Sequence, residues 1–253
     1  MSCNVLILGG TGDAARLAAG LDVDPRFAVT TSLAGRTENP KKIAGQVRIG
    51  GFGGVEGLID TLHGDKIDVL VDATHPFAAQ IRRHAMLAAI QTNVPLLRLE
   101  RTAWAKRRGD HWHEVGNLAE AAKLAPKLGH RAFLTVGRKE LASFSDIPGV
   151  HFLVRLVDPP PAPLPLTDFE ILLERGPFDE TEELQLMRVR RIDLVIAKNS
   201  GGEATYGKIV AARNLKIPVI LQRRPPLPPA YTPAATVETP EAAMEWLDRF
   251  ARG

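Results

Sequence analysis

Residues 6–18 read LILGGTGDAARLA: a short apolar run, then Gly10-x-Gly12-x-x-Ala15, then a helical pattern. Glycines at such a junction permit a tight turn and let backbone N–H groups approach a pyrophosphate at the start of the helix. Ala15 is small and stands where a third glycine would allow close packing of helix on strand. This spacing points to a dinucleotide; the competing reading is a plain glycine turn with Asp13 capping the helix. An NAD site usually shows Asp or Glu about 20 residues further on. Here the second apolar run ends in LAGRT, with Arg36 and Thr37 at that place. A guanidinium pairs with a 2′-phosphate that a carboxylate would repel, so NADP(H) is preferred to NAD. A plain surface charge is the alternative for Arg36.

Four further junctions carry polar groups. DATHPFAAQI (72–81) follows the run KIDVLV; Asp72 reads as the end of that strand, with Thr74 and His75 just beyond it. Pro76 suits a first helical position and Thr74 a cap, which leaves His75 as either an active-site group or a satisfied turn histidine. In TVGRKEL (135–141), Gly137 frees the backbone, and Arg138 and Lys139 stand at a helix start, where cations oppose the helix dipole unless they face an anion. In AKNSGGEAT (197–205), Ser200 and Glu203 fit a capping box, which leaves Lys198, Asn199 and the paired glycines Gly201 and Gly202 for anionic groups. In RGPFDETEE (175–183), Arg175 precedes an acid-rich helix start and is as much a surface charge as a ligand contact. GGFGG (50–54) is equally a flexible turn or a place of close ligand approach.

These junctions are held by alternating elements. NVLIL, FAVTTSL, QVRIG, DVLVD and PLLRL read as strands, with helical spacing in DAARLAAGL, VEGLIDTL and PFAAQIRRHAMLAAI between them. In the last of these, Phe77, Ile81, Ala85 and Ala88 share one face, with Arg82 and Arg83 off it. After the helical NLAEAAKLAPKL the pattern restarts: RAFLTV, HFLVRLV, FEILLE, DLVIA and PVILQ read as strands, and ELASF, TEELQLM and GEATYGKIVAAR as helices. DPPPAPLPL and RRPPLPPAYTP are proline-stiffened loops. Thr239 and Pro240 open a final helix. The fold class is α/β with parallel sheets in two domains, a boundary near residue 115 and a ligand cleft between them.

The totals narrow the function classes. The chain has 253 residues, 45% hydrophobic and 24% charged, as a soluble globular protein with a full core has. A net charge of +3 with well-mixed signs gives no nucleic-acid footprint but suits anionic small molecules. No apolar run is long enough to span a bilayer, and MSCNVLILGG lacks signal-peptide features. One cysteine, Cys3, excludes an intrachain disulfide and a cysteine-built metal site, and reads as a core residue. His111 and His113 lack a completing ligand set, so no metal is expected. A cytoplasmic location follows, with no nucleic-acid or membrane partner.

Together, LILGGTGDAARLA, LAGRT, GGFGGVEGL, DATHPFAAQI, PLLRLERTAW, FLTVGRKEL, VDPPP, RGPF and IAKNSGGEAT followed by KIVAAR resemble the precorrin-6A reductase family of cobalamin biosynthesis, with its cobalt-precorrin counterpart. They run in the family's order across nearly the whole chain. The resemblance implies two Rossmann-like domains: 1–115 binding NADP(H), and 116–253 contributing to the cofactor and substrate cleft. It implies hydride transfer from NADPH to a double bond of a polycarboxylate tetrapyrrole, precorrin-6A, giving precorrin-6B. On it, Gly10, Thr11, Gly12 and Asp13 hold the pyrophosphate, Arg36 and Thr37 the 2′-phosphate ribose, and Thr74 and His75 lie near nicotinamide. Gly137, Arg138 and Lys139 join the cofactor set; Lys198, Asn199, Ser200, Gly201 and Arg175 meet substrate. His75 or Lys198, or else water, supplies the proton. Neighbouring enzymes of that pathway are the protein partners it suggests. The alternatives are a tetrapyrrole methyltransferase using S-adenosylmethionine, disfavoured by Arg36, and a non-catalytic NADP-sensing or tetrapyrrole-carrying protein.

Overall fold

The computed structural model describes residues 2–35, 43–226 and 232–252. Arg36 and Thr37 lie outside the described residues. Along the chain run β1 (Cys3–Leu8), α1 (Gly12–Asp22), β2 (Phe27–Leu33), β3 (Gln46–Ile49), α2 (Val55–Gly64), β4 (Val69–Asp72), α3 (Ala79–Thr92) and β5 (Leu96–Leu99). Then come β6 (Trp112–Val115), α4 (Leu118–Leu128), β7 (Arg131–Leu134), a 3-10 helix (Arg138–Phe144), β8 (His151–Leu156) and β9 (Phe169–Leu173). α5 (Glu180–Val189), β10 (Leu194–Lys198), α6 (Gly207–Leu215), β11 (Val219–Gln222), β12 (Ala235–Val237) and α7 (Pro240–Arg252) complete it.

Two six-stranded sheets result, ordered β12-β5-β4-β1-β2-β3 and β6-β11-β10-β7-β8-β9. Every pairing among them is parallel, as strand–helix alternation requires. Strand residues alternate between faces. Val5 and Ile7 of β1 pack with Leu17 of α1 and Leu247 of α7, whereas Leu6 and Leu8 pack with Leu58 of α2 and Ala85 of α3. In the second sheet Leu134 packs with Ala121 of α4, and Phe133 with Met187 of α5 and Ile209 of α6. Apolar burial on both faces explains the near-continuous hydrophobic strands.

The compact units differ from the expected division at 115. One comprises residues up to Thr102 together with those from Pro226 onward; the other is Ala103–Pro225. The reason is strand pairing at the edges. Trp112–Val115 pairs with β11, so it belongs to the second sheet, and Ala235–Val237 pairs with β5, returning the C-terminus to the first. Thr239 caps α7 as expected, its Oγ accepting the Ala242 N–H at 3.1 Å.

Three helix starts shift. Pro76 and Phe77 form a turn, closed by the Ala78 N–H on the His75 carbonyl at 2.8 Å, and α3 begins at Ala79. The Ser200–Glu203 capping box does not form; Ser200 Oγ lies 3.3 Å from Thr205 Oγ1, and α6 begins at Gly207. Gly201 and Gly202, at φ +68° and +72°, turn the chain away from helix there. The ELASF segment is 3-10 rather than α.

Candidate functional site

The strand order of the first sheet reverses between β1 and β4, and the loops leaving such strands border the ligand crevice of an open parallel sheet. Gly9 permits close approach of β1 and β2, since a Cβ on it would meet Thr31 Cγ2 at 2.8 Å. Gly10 adopts φ +101°, and among the described residues nothing beyond its chain neighbours stands within 4 Å of where its Cβ would be; the space beside Gly12 is equally open. Thr11 is the N-cap of α1: its hydroxyl accepts the Ala14 N–H at 3.1 Å and donates to the Ala73 carbonyl at 2.8 Å, joining the loop after β1 to the loop after β4. The Gly12 and Asp13 N–H groups, which a helix start leaves without intrahelical partners, meet no acceptor among the described residues. Asp13 itself faces cations, Arg16 at 2.7 Å and Arg101 at 3.4 Å.

The loop after β4 is fixed from beneath. Asp72 is buried; its Oδ1 accepts the Thr74 hydroxyl at 2.6 Å and the Thr74 N–H at 3.2 Å, so Thr74 braces this loop instead of capping α3. The other oxygen lies 3.6 Å from Arg82 Nε and 3.5 Å from Arg98 Nη2. Arg82 also pairs with Glu100 and donates to the Pro76 carbonyl at 2.6 Å. The expectation that Arg82 sits off the buried face is therefore corrected: it is 4% exposed, compensated by two carboxylates and a carbonyl. Burial, and then the charge of Arg82, push the Arg98 pKa down. His75 is half-buried, and its Nδ1 accepts the Phe77 N–H at 3.3 Å. A nitrogen that accepts carries its lone pair, which puts the proton of the neutral ring on Nε2.

GGFGG is a braced turn. Arg48 donates to the Gly50 and Gly51 carbonyls at 3.0 and 2.9 Å and lies over the Phe52 ring at 4.0 Å.

In the second unit the corresponding reversal lies between β7 and β10. Here the protein's own carboxylate takes the donors. Glu140 accepts the Gly137 N–H at 2.7 Å, and each of its oxygens accepts Lys198 Nζ at 2.7 Å. Asn199 is buried and spends its side-chain amide on the backbone of Trp104, accepting its N–H at 2.8 Å and donating to its carbonyl at 2.9 Å. Gly137 and Asn199, expected to face ligand, make these contacts within the fold. Arg138 and Lys139 are exposed, and Arg175 pairs with Asp158 at 3.3 Å.

Behind these loops lies a buried charged group to which the sequence alone gives no role. Arg155 of β8 donates to Glu183 of α5 at 2.6 Å and lies over the Phe178 ring at 3.9 Å. Lys208 of α6, 5% exposed, donates to the Thr205 carbonyl at 2.6 Å, with the Trp104 ring 5.6 Å away. Burial pushes the Lys208 pKa down to about 8, against the opposing pull of Glu183 and with the added push of Arg155. Its pKa is lower folded than unfolded, so the unfolded chain binds more protons between about pH 8 and the ordinary lysine value, and stability rises with pH across that window. Urea midpoints measured from pH 8 to 10.5 should therefore rise more steeply for the natural protein than for Lys208→Met; parallel curves would contradict the assignment.

A family model described as "Precorrin-6x reductase CbiJ/CobK" matches residues 4–248. The chain belongs to the precorrin-6x reductase family. Among its relatives, the precorrin-6A reductase of Rhodococcus erythropolis is 48% identical, covering 98% of each chain. That of Mycobacterium tuberculosis is 40% identical over 96% of each. The cobalt-precorrin-6A reductase of Methanococcus maripaludis is 30% identical over 88% of this chain and 91% of the relative. A solved structure titled "CobK precorrin-6A reductase" superposes with a TM-score of 0.90 at 43% identity, covering 98% of this chain and 96% of that one.

For a member of this reductase family, the first unit offers a donor set suited to a dinucleotide. It has an open glycine turn, unspent helix-start amides and a braced loop on the adjacent strand. The described residues contain no group of three or more His, Cys, Asp or Glu able to hold a metal, and no helix long and apolar enough to cross a membrane. Burial, then Asp68, pushes the Cys3 thiol up to about 11, so it stays protonated and poorly nucleophilic near neutral pH. Arg82, Arg98, Glu100 and Arg101 are the site residues that motif reading passed over. The available signal was a cluster of charges, RLER, at the end of an otherwise apolar strand.

Proposed function

We propose that the chain reduces a double bond of the precorrin-6A macrocycle to give precorrin-6B, with NADPH as the bound reductant. The observation that carries this reading is the open glycine turn at Gly10–Gly12, tied through Thr11 to the braced 72–76 loop, in a chain of this family. When bound, the nicotinamide supplies a hydride; the protein supplies binding, orientation and exclusion of water. The Gly12 and Asp13 amides are assigned to the pyrophosphate and Arg36 with Thr37 to the 2′-phosphate ribose. Thr74 and His75 are assigned to the nicotinamide end. In the second unit, Arg138, Lys139 and Arg175 are assigned to anionic groups of cofactor or substrate, and Ser200 and Gly201 to substrate.

The metal-free macrocycle is the favoured substrate. Relatives at 40–48% identity carry the name precorrin-6A reductase, whereas those at 28–30% carry the cobalt-precorrin name. Purified protein given NADPH and precorrin-6A should lose nicotinamide absorbance in step with substrate. Binding of the tetrapyrrole without that loss would favour a carrier and overturn the reductase reading.

Arg36→Ala should weaken NADPH binding by ~1.5–3 kcal/mol more than NADH binding, read by titration with each nucleotide. Equal weakening would remove Arg36 from the 2′-phosphate.

The reduction also adds a proton to the conjugated ring. The two side chains considered for it are poorly disposed. Protonating His75 at Nδ1 would set an N–H against the Phe77 N–H, and the Lys198 ammonium is held by both oxygens of Glu140. His75 is accordingly assigned as a contact that orients a ligand, with water as the proton source. His75→Asn should then retain kcat to within about tenfold, whereas loss of a general acid costs about 10²–10⁴-fold. A drop in the latter range would return the acid role to His75.

A further inference from the structure

Arg101 follows β5 on the sheet edge that carries the glycine loop, within the stretch PLLRLERTAW, to which the sequence alone gives no ligand role. Its Nε lies 3.4 Å from Asp13 Oδ2, which places the guanidinium against the first turn of α1. The side chain is 21% exposed and that of Asp13 only 14%, so the pair is largely withdrawn from bulk water. A cation beside a helix N-terminus is opposed by the helix dipole and needs an anion. Asp13 is the anion supplied, yet it is shared with Arg16, so two guanidinium groups meet one carboxylate. No hydrogen bond among the described residues holds the terminal amino groups of Arg101. Beside it, Gly10 and Gly12 leave open space, and the Gly12 and Asp13 amides lack acceptors. An excess of positive charge, an unspent planar fork and free amides at one exposed turn describe a site for a phosphate group.

We propose that Arg101 is a pyrophosphate-binding residue of the dinucleotide site, and that Asp13 is the residue that positions it. This rests on the cofactor reading above. It also changes the part given to Asp13, whose carboxylate would repel a pyrophosphate but holds the guanidinium that attracts one. The pyrophosphate is common to NADPH and NADH, which separates this role from that of Arg36.

Titration of the full-length protein with NADPH and with NADH, followed by nicotinamide fluorescence, tests the assignment. Arg101→Ala should raise Kd for both nucleotides by the same factor, about tenfold to a hundredfold, and Arg101→Lys should recover part of it. Asp13→Asn should raise both Kd values by a smaller factor, and that increment should vanish in the Arg101→Ala background. Unfolding midpoints close to that of the natural protein would confirm that the variants fold. Unchanged Kd values overturn the proposal. So does a loss confined to NADPH, which would put Arg101 at the 2′-phosphate, or a raised KM for the tetrapyrrole alone, which would put it on substrate. Natural protein that binds neither nucleotide would overturn the cofactor reading itself, and this assignment with it.

Discussion

Arg82→Ala is expected to lower the free energy of unfolding by about 3–5 kcal/mol, the cost of removing one partner from a buried ion pair. Arg82 stands between Asp72 and Glu100 and also donates to the Pro76 carbonyl. Its loss leaves Asp72, 2% exposed, with Arg98, at 3.5 Å, as its one cationic neighbour among the described residues. Arg98 does not compensate fully, because the Asp72 Oδ2 and two nitrogens of Arg98 already lack hydrogen-bond partners. The variant should show a lower urea midpoint at an unchanged denaturant slope. Because the same guanidinium holds the Pro76 carbonyl, residual folded protein should also turn over more slowly. A loss of stability under ~1 kcal/mol would mean that the network is far better hydrated than its burial indicates.

Gly10→Val should be the most damaging single change to nucleotide binding. The backbone there sits at φ +101°, a region side-chain-bearing residues rarely adopt, so valine strains the turn by about 1–3 kcal/mol. Among the described residues nothing beyond the chain neighbours lies within 4 Å of the new Cβ, so that carbon meets no clash. The side chain would instead fill the space left for ligand. Affinity for NADPH should fall by about a hundredfold or more, while the protein remains folded by circular dichroism. Gly20→Ala serves as the contrast. Its Cβ would meet the flexible Met244 side chain in the α1–α7 packing, so stability should change and affinity should not. Retained affinity in Gly10→Val would remove the pyrophosphate from this loop.

How much of this was legible in the sequence depends on the range of the interactions concerned. The glycine turn, the Thr239 cap and the central strands follow local rules of backbone freedom, capping and apolar runs, and they fall where those rules place them. β12 escaped because three residues after a proline-rich loop carry little periodic signal. β6 escaped because only Trp112 and Val115 of its four residues are buried, within a charged stretch. Both are edge strands, and their assignment decides the division into units, which no local pattern reveals. In the site, Asp72 read as a strand terminus because the arginines that give it a role lie 10 and 26 residues away in sequence. Lys198 and Asn199 read as ligand contacts because their residue types suit anions; the fold adds Glu140 and Trp104 as internal partners, which the sequence does not reveal. Charge type is visible in a sequence, but the counter-charge is found only in the fold.

The central claim is that a hydride passes from NADPH to the macrocycle on this protein. NADPH carrying deuterium at the transferable nicotinamide position, incubated with the protein and precorrin-6A, tests it directly by mass spectrometry of the product. The account predicts precorrin-6B containing one carbon-bound deuterium, with NADP⁺ formed in equal amount. Product without the label, or nucleotide that keeps it while the tetrapyrrole stays unreduced, would contradict the account.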